Sequence, residues 1–425
     1  MSSTPQIFIS AGEASGERYG AMLIAAVRAA RPDAEFFGLG GTAMEAAGCE
    51  RIVRAEDIAV MGITEVVRHM PRIYAEYRRL VRSIRGRRPD VAVLIDFPDV
   101  NFRLARELKH SGIPVVYFVS PQLWAWKQRR IRWVRERVDK MLVIFPFEEK
   151  YYRERGVDAD FVGHPLANLP LPKISREDYA HKYGLDASKK WVGLLPGSRA
   201  REIRHNLPVM AAAANLLGDS YDYVLPAAAT LAPDAVSKMA ARCNFAQRGI
   251  HVPIRVVEDA RATLLYARAS IVASGTATVE AALIGNPFVA VYRLSALSYA
   301  VASRLVDLPH VSMVNLIAGK RIVPELIQDN FTARNVVGYL HPLLEDSLSR
   351  AKMMQDLTNV RNALGGHDSE ISRNTLENPA KAGGPPIVAN KAIDRAAAWV
   401  LQYAALADGG SLGRGNVTPA PGVRG

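Results

Sequence analysis

Cysteine is scarce: Cys49 and Cys243 are the only two in 425 residues. They stand far apart and outside any metal-ligand spacing, so neither a disulfide framework nor a zinc site is expected, and reduced cytoplasmic thiols are. Long apolar runs are missing too. The longest, such as 91–95 and 115–119, fall far short of the ~20 residues a membrane-spanning helix needs. The N-terminus, Met-Ser-Ser-Thr-Pro, has no basic segment and no long apolar stretch behind it, so no secretory leader is expected. The first loop does not match the dinucleotide pattern Gly-x-Gly-x-x-Gly. No nucleic-acid recognition motif accompanies the positive charge, so nucleic acid is not an expected partner.

What is present is the composition of a folding chain, with 49% hydrophobic and 23% charged residues. The length suits two domains plus extensions. A net charge of +12 favours anionic partners, nucleotide diphosphates and phospholipid surfaces among them, without choosing between these.

Short β-rich runs alternate with helical patterns: 6–10, 35–38, 91–96, 114–120, 140–145 and 160–162 are strand candidates in the first half. A second series follows at 191–195, 221–225, 254–257, 270–273 and 287–292. Such alternation predicts βαβ units and parallel sheets. Pro170 and Pro172 interrupt the rhythm at 168–173 and mark a linker. The expected fold is α/β: two doubly wound, Rossmann-like domains facing a central cleft, an architecture called GT-B when it carries sugar transfer. The expected boundaries are 1–167, 168–345, C-terminal helices at 346–406 and a disordered Gly-rich tail at 407–425.

Four loops carry chemistry. The first, Ser10-Ala11-Gly12-Glu13-Ala14-Ser15-Gly16-Glu17, joins a strand to a helix that Ser15 could cap, and sets Glu13 at the strand's carboxyl edge. The second, Ile95-Asp96-Phe97-Pro98-Asp99, ends an apolar strand in a carboxylate. Asp99 suits the first turn of the next helix, whereas Asp96 has no such local duty and could take a proton from an alcohol. In the second half, Leu195-Pro196-Gly197-Ser198-Arg199 offers a glycine turn, a hydroxyl and a guanidinium to an anion, ahead of a helix read as starting near Glu202. Ser274-Gly275-Thr276-Ala277-Thr278 repeats the theme, with Glu280 one turn on to accept ribose hydroxyls. Together the last two predict a nucleotide-sugar donor site.

Gln122, Trp124 and Trp126, beside a basic helix, could line a sugar or lipid path. Residues 60–88 form an amphipathic segment: Met61, Ile63, Val66, Val67, Met70 and Ile73 are apolar, while Arg68 and Arg72 open a long arginine series. That pattern suits shallow insertion among anionic headgroups, although a helix packed on its own sheet has the same pattern. Asp158-Ala159-Asp160 matches a metal-binding Asp-x-Asp only literally, and His164 reads as packing at least as well as catalysis. No metal and no cofactor are expected.

In this order these segments, with Gly40-Gly41-Thr42-Ala43-Met44, Met61-Gly62-Ile63-Thr64-Glu65-Val66, Ser120–Trp126, Val162-Gly163-His164-Pro165 and Val323-Pro324-Glu325-Leu326, resemble lipid-A-disaccharide synthase across most of positions 6 to 345. The resemblance implies an inverting transfer from UDP-2,3-diacylglucosamine to 2,3-diacylglucosamine 1-phosphate, forming a β(1→6) disaccharide and UDP at the inner face of the inner membrane. It implies that Asp96 is the base, that Arg199 and 274–280 hold UDP, that Asn315 joins the donor site and that Glu13 and Ser15 line the cleft. It also implies membrane docking through 60–88 and a homodimer made by exchanging C-terminal elements. Glu17 stands where the family usually has Asp, and Met313-Val314 where Leu-Pro is commoner. The residues alone leave the base open among Asp96, Asp99 and Glu13. They also leave open a UDP-N-acetylglucosamine 2-epimerase, a lipid II-forming transferase and a non-catalytic nucleotide-sugar sensor.

Overall fold

The computed structural model describes residues 4–55, 63–228, 231–245, 252–293, 309–365 and 390–407. The first sheet holds β1 (Gln6–Ala11), β2 (Glu35–Gly40), β3 (Cys49–Arg54), β4 (Val91–Ile95), β5 (Val115–Phe118), β6 (Lys140–Val143) and β7 (Ala159–Phe161), in the order β3-β2-β1-β4-β5-β6-β7. The second holds β8 (Lys190–Leu195), β9 (Tyr221–Pro226), β10 (Ile254–Val257), β11 (Ala269–Ala273), β12 (Phe288–Tyr292) and β13 (Glu325–Ile327), in the order β10-β9-β8-β11-β12-β13. Every strand pair is parallel. Helices therefore cover both faces, and all five residues of β4 and of β11 are buried, as a parallel sheet requires.

In both sheets the winding reverses beside the first strand, between β1 and β4 and between β8 and β11. At such a switch point neighbouring loops run to opposite faces and leave a crevice at the carboxyl ends of the strands. The four loops singled out in the sequence follow β1, β4, β8 and β11.

Two strands escaped the sequence reading. In β3 the run Cys-Glu-Arg-Ile-Val-Arg is half charged because it is a sheet edge, and β13 is three residues long. The segment after β7 meets the C-terminal part of the chain: His164 N–H donates to the Leu364 carbonyl (3.0 Å), and Asn390 Nδ2 to that of Pro165 (2.7 Å). The last described helix, Lys391–Ala407, then packs on the first helix, Ala14–Ala30, of the same chain. Lys140 sits over the Trp399 ring of that last helix at 3.9 Å.

Candidate functional site

At the end of β4, Asp96 and Phe97 both adopt left-handed backbone angles, with φ of 45° and 49°. Side-chained residues rarely do so, and consecutive ones need outside support. Asn101 supplies it. It lies buried on the following helix, Pro98–His110, and its Nδ2 donates to the carbonyls of Ile95 (3.1 Å) and Asp96 (2.7 Å). Its Oδ1 accepts from the Ser10 hydroxyl (2.7 Å), and the Tyr117 hydroxyl donates to the Asp96 carbonyl (2.6 Å). Gly12 completes the turn, because a Cβ there would lie 2.3 Å from the Phe97 ring. The outcome is a carboxylate on a rigid mount. Burial pushes the Asp96 carboxyl up to about 7, with repulsion from Glu13 as the next cause.

The other candidate bases are placed differently. Asp99 sits in the first turn of its helix, exposed, with Arg130 at 2.7 Å. Glu13 is exposed and is itself the residue that starts the first helix. Ser15 therefore does not cap that helix: it lies inside the first turn, half-buried. Glu17 is structural, since its Oε1 accepts from the Ala43 N–H (2.7 Å) and caps the Thr42–Ala46 helix.

Across the cleft the helix Ala200–Leu217 starts at Arg199, earlier than expected. The two amides just ahead of it are already taken: Glu202 Oε2 accepts from the N–H groups of Ser198 (2.9 Å) and Arg199 (3.3 Å). Gly197, at φ 121°, leaves the room for this, since a Cβ there would meet Glu202 Oε2 at 2.3 Å. What this turn presents is the Arg199 side chain, exposed, 3.8 Å from Glu13 and 3.6 Å from Glu202.

After β11, Gly275 precedes the helix Thr276–Ile284. Ser274 Oγ donates to the Val311 carbonyl (3.2 Å), and Thr278 Oγ1 to the Gly275 carbonyl (2.7 Å). Thr276 is exposed and Ala277 half-buried. Glu280 receives the Arg18 guanidinium from the first helix at 3.4 Å, and burial pushes its carboxyl up. Asn315 is buried with both ends used: Nδ2 donates to the Val323 carbonyl and to Glu325 Oε1, and Oδ1 accepts from the N–H groups of Ile322 and Val323. Its contribution runs through the wall it braces.

Following β5, Gln122 is exposed. Trp124 is half-buried with its indole N–H donated to Glu148 (2.9 Å). Trp126 is 42% exposed, with Lys127 over its ring at 3.9 Å. His164 is buried among Tyr19 and Phe145, and burial holds its imidazole down at about 3, hence neutral. Lys140 bridges Asp158 (2.7 Å) and Asp160 (3.1 Å), an ion-pair role for that Asp-x-Asp. Among the described residues no cluster of His, Cys, Asp or Glu has metal-binding geometry.

A family model described as lipid-A-disaccharide synthetase matches residues 7–378. The lipid-A-disaccharide synthase of Acidobacterium capsulatum is 62% identical over 368 residues, 85% of this chain and 92% of the relative. The chain belongs to the lipid-A-disaccharide synthase family. That of Koribacter versatilis is 53% identical over 362 residues, covering 84% and 93%. Solved structures with the same fold include the calicheamicin glycosyltransferase CalG4 (TM-score 0.58, 14% identity, covering 95% of this chain and 99% of that one). A UDP-GlcNAc 2-epimerase from Neisseria meningitidis has TM-score 0.55 at 11% identity, covering 88% and 99%. The fold is GT-B.

The helix Ile63–Arg87 carries Pro71 within it. Met61 lies outside the described residues, and Ile63, Val66, Val67, Arg68 and Met70 are described as helix backbone only. Arg72 is exposed, Ile73 half-buried and Tyr74 59% exposed. Farther along, Leu80 and Ile84 are buried in the first half's core. Among the described residues no helix is long and apolar enough to cross a membrane.

Proposed function

We propose that the chain condenses UDP-2,3-diacylglucosamine with 2,3-diacylglucosamine 1-phosphate into the β(1→6) disaccharide 1-phosphate, releasing UDP with inversion at the anomeric carbon. Family membership supports the reaction, and one observation carries the assignment of residues: a buried-edge carboxylate, Asp96, at one switch point, opposite Arg199 and Glu280 at the other. We divide the chain near residue 168 into an acceptor half and a donor half.

In this reading Asp96, as the carboxylate, takes the proton of the acceptor 6-hydroxyl while that oxygen attacks the anomeric carbon. The anomeric bond to UDP breaks on the opposite face, and its electron pair leaves with the diphosphate. Arg199, the amides at the start of the Thr276–Ile284 helix and the hydroxyls of Ser198 and Thr276 meet that charge, while Ser274 and the fully buried Thr278, whose hydroxyls are donated to the Val311 and Gly275 carbonyls, shape the turn rather than bind. Glu280 takes the ribose, which means Arg18 yields its place to the nucleotide. Glu13 and Ser15 stand beside the reacting atoms, and Gln122, Trp124 and Trp126 line the acceptor path with Asp99. Residues 61–73 dock on the anionic inner face of the inner membrane, so the acyl chains of both sugars stay in lipid.

A sensor of nucleotide sugars would use Arg199 and Glu280 but have no work for a base held in a strained turn. The test is incubation of the purified protein with both acylated sugars in detergent, followed by assay for the disaccharide phosphate and free UDP. Asp96→Asn is expected to lose roughly 10²- to 10⁴-fold in turnover with UDP binding intact. Unchanged turnover in that variant would remove Asp96 from its role.

A further inference from the structure

The loop after β5 begins with a second strained residue. Val119 has φ 62°, a genuine outlier for a β-branched side chain, and such geometry persists only where surroundings over-determine it. Val119 itself is held by β6, its N–H donating to the Leu142 carbonyl (3.0 Å), and the residues after it are held by one short helix, Pro146–Arg153. From it Glu148, 1% exposed, reaches back to the loop: Oε1 accepts from the Ser120 hydroxyl (2.6 Å) and from the Trp124 indole N–H (2.9 Å). Tyr152, one turn on, donates its hydroxyl to the Pro121 carbonyl (2.9 Å). Phe147 meets the Trp124 ring edge-on at 5.0 Å and stacks on Phe145 at 6.0 Å.

Helix capping by itself does not account for this arrangement. Glu148 does cap its own helix, but through Oε2, which accepts from the Phe145 N–H (3.1 Å). The other oxygen is spent on the loop. Burying a carboxylate for that purpose is costly, and burial indeed pushes the Glu148 carboxyl up to about 7. An apolar residue would fill the space without that cost, but could not fix the indole's rotation.

We propose that Glu148 is a positioning residue for the acceptor sugar: it sets the Trp124 ring and the 120–124 loop, which follow the strand next to β4 and its Asp96. This rests on the reading that Trp124 lines the acceptor path. The two ideas separate experimentally. Steady-state kinetics with each substrate varied would be measured for Glu148→Gln, Trp124→Phe, Trp124→Ala, Ser120→Ala and the double variant Glu148→Gln/Trp124→Phe. Alongside them, the Trp124 indole N–H resonance would be followed in protein labelled at tryptophan.

Glu148→Gln is expected to raise the acceptor KM roughly tenfold, because its amide has one acceptor oxygen for the three donors that the two carboxylate oxygens serve. The donor KM and kcat should stay within about twofold, and the Trp124 resonance should move. Trp124→Phe keeps an aromatic ring, removes the N–H that Glu148 holds and leaves the helix cap intact, so it carries the same test should Glu148→Gln fold poorly. The double variant should be no worse than the poorer single one, as expected for groups acting as a unit. An unmoved Trp124 resonance with a wild-type acceptor KM in Glu148→Gln overturns the proposal, and so does full additivity. A wild-type acceptor KM in Trp124→Ala instead overturns the acceptor-path reading, and the proposal with it.

Discussion

Asp96 shows how much a single residue depends on its neighbours. A left-handed conformation costs roughly 1–2 kcal/mol for an ordinary side chain but is tolerated by Asp and Asn. Asp96→Asn therefore tests the charge without disturbing the turn, whereas Ala would mix charge with strain. Because the folded carboxyl is held near 7, above its ordinary range, its contribution to stability is complete below the unfolded value and is lost as pH rises through 7. At pH 8 the anion is a liability, so Asp96→Asn should melt higher than wild type by on the order of 3 °C. The gap should close as the pH is lowered toward 5 in calorimetry. Turnover should behave oppositely, with kcat/KM of the wild type rising through about pH 7 as the base loses its proton. Asn101→Ala leaves the Ser10 hydroxyl and two carbonyls short of a partner. It should lower the unfolding free energy in urea by about 2–3 kcal/mol and reduce kcat. Asn101 had a faint signature: a polar residue beside Phe102, on the helix face that carries Leu104 and Leu108 into the core. Asparagine is otherwise poor in helix interiors.

Among the elements, the helix Ile63–Arg87 divides its duties along its length. Its C-terminal half is fastened: Leu80 and Ile84 enter the core, Arg85 pairs with Glu107 at 2.9 Å and Arg87 with Glu50 at 2.6 Å. Its arginines there serve the fold as much as any partner. The membrane docking proposed above therefore rests on the N-terminal half. Arg68→Ala/Arg72→Ala should weaken co-sedimentation with phosphatidylserine-containing vesicles roughly thirtyfold, at about 1 kcal/mol per arginine near the surface, and leave phosphatidylcholine binding unchanged. Equal loss on both vesicle types would argue against electrostatic docking. The strand elements were legible wherever both faces are buried, as in β4, because a continuous apolar run needs no partner to announce itself. Charged β3 and short β13 take their strand character from the neighbour each pairs with, which composition does not encode.

At the scale of the whole molecule, two ion pairs among the described residues cross the cleft: Arg18 to Glu280 and Glu13 to Arg199. The second is exposed on both sides, and exposed pairs contribute little and are screened by salt. Firmer connections run through the segment after β7 and the start of the last described helix, where His164, Pro165, Leu364 and Asn390 meet. A ligand that replaces weak cross-cleft pairs with charge-assisted bonds should stabilise both halves together. At a hundredfold excess over its Kd, UDP should add about 2.7 kcal/mol of stability, read as a rise in Tm. Arg199→Ala and Glu280→Gln should each diminish that rise at the same UDP concentration. A full rise in both variants would move the nucleotide away from this turn pair.

The sequence by itself determined the α/β class, the parallel sheets and the loops at the carboxyl ends of β1, β4, β8 and β11, because buried strands and glycine-bearing turns are written in local residue order. It also carried the family likeness through motifs that remain collinear. Only the tertiary structure decided which carboxylate is mounted under strain, that Glu202 fills the amides beside Arg199, that Asn315 is consumed by its own wall and that Glu148 holds Trp124. Each of these depends on groups brought together by folding, and a hydrogen bond is set by distance in space, to which neighbouring letters in a chain are no guide.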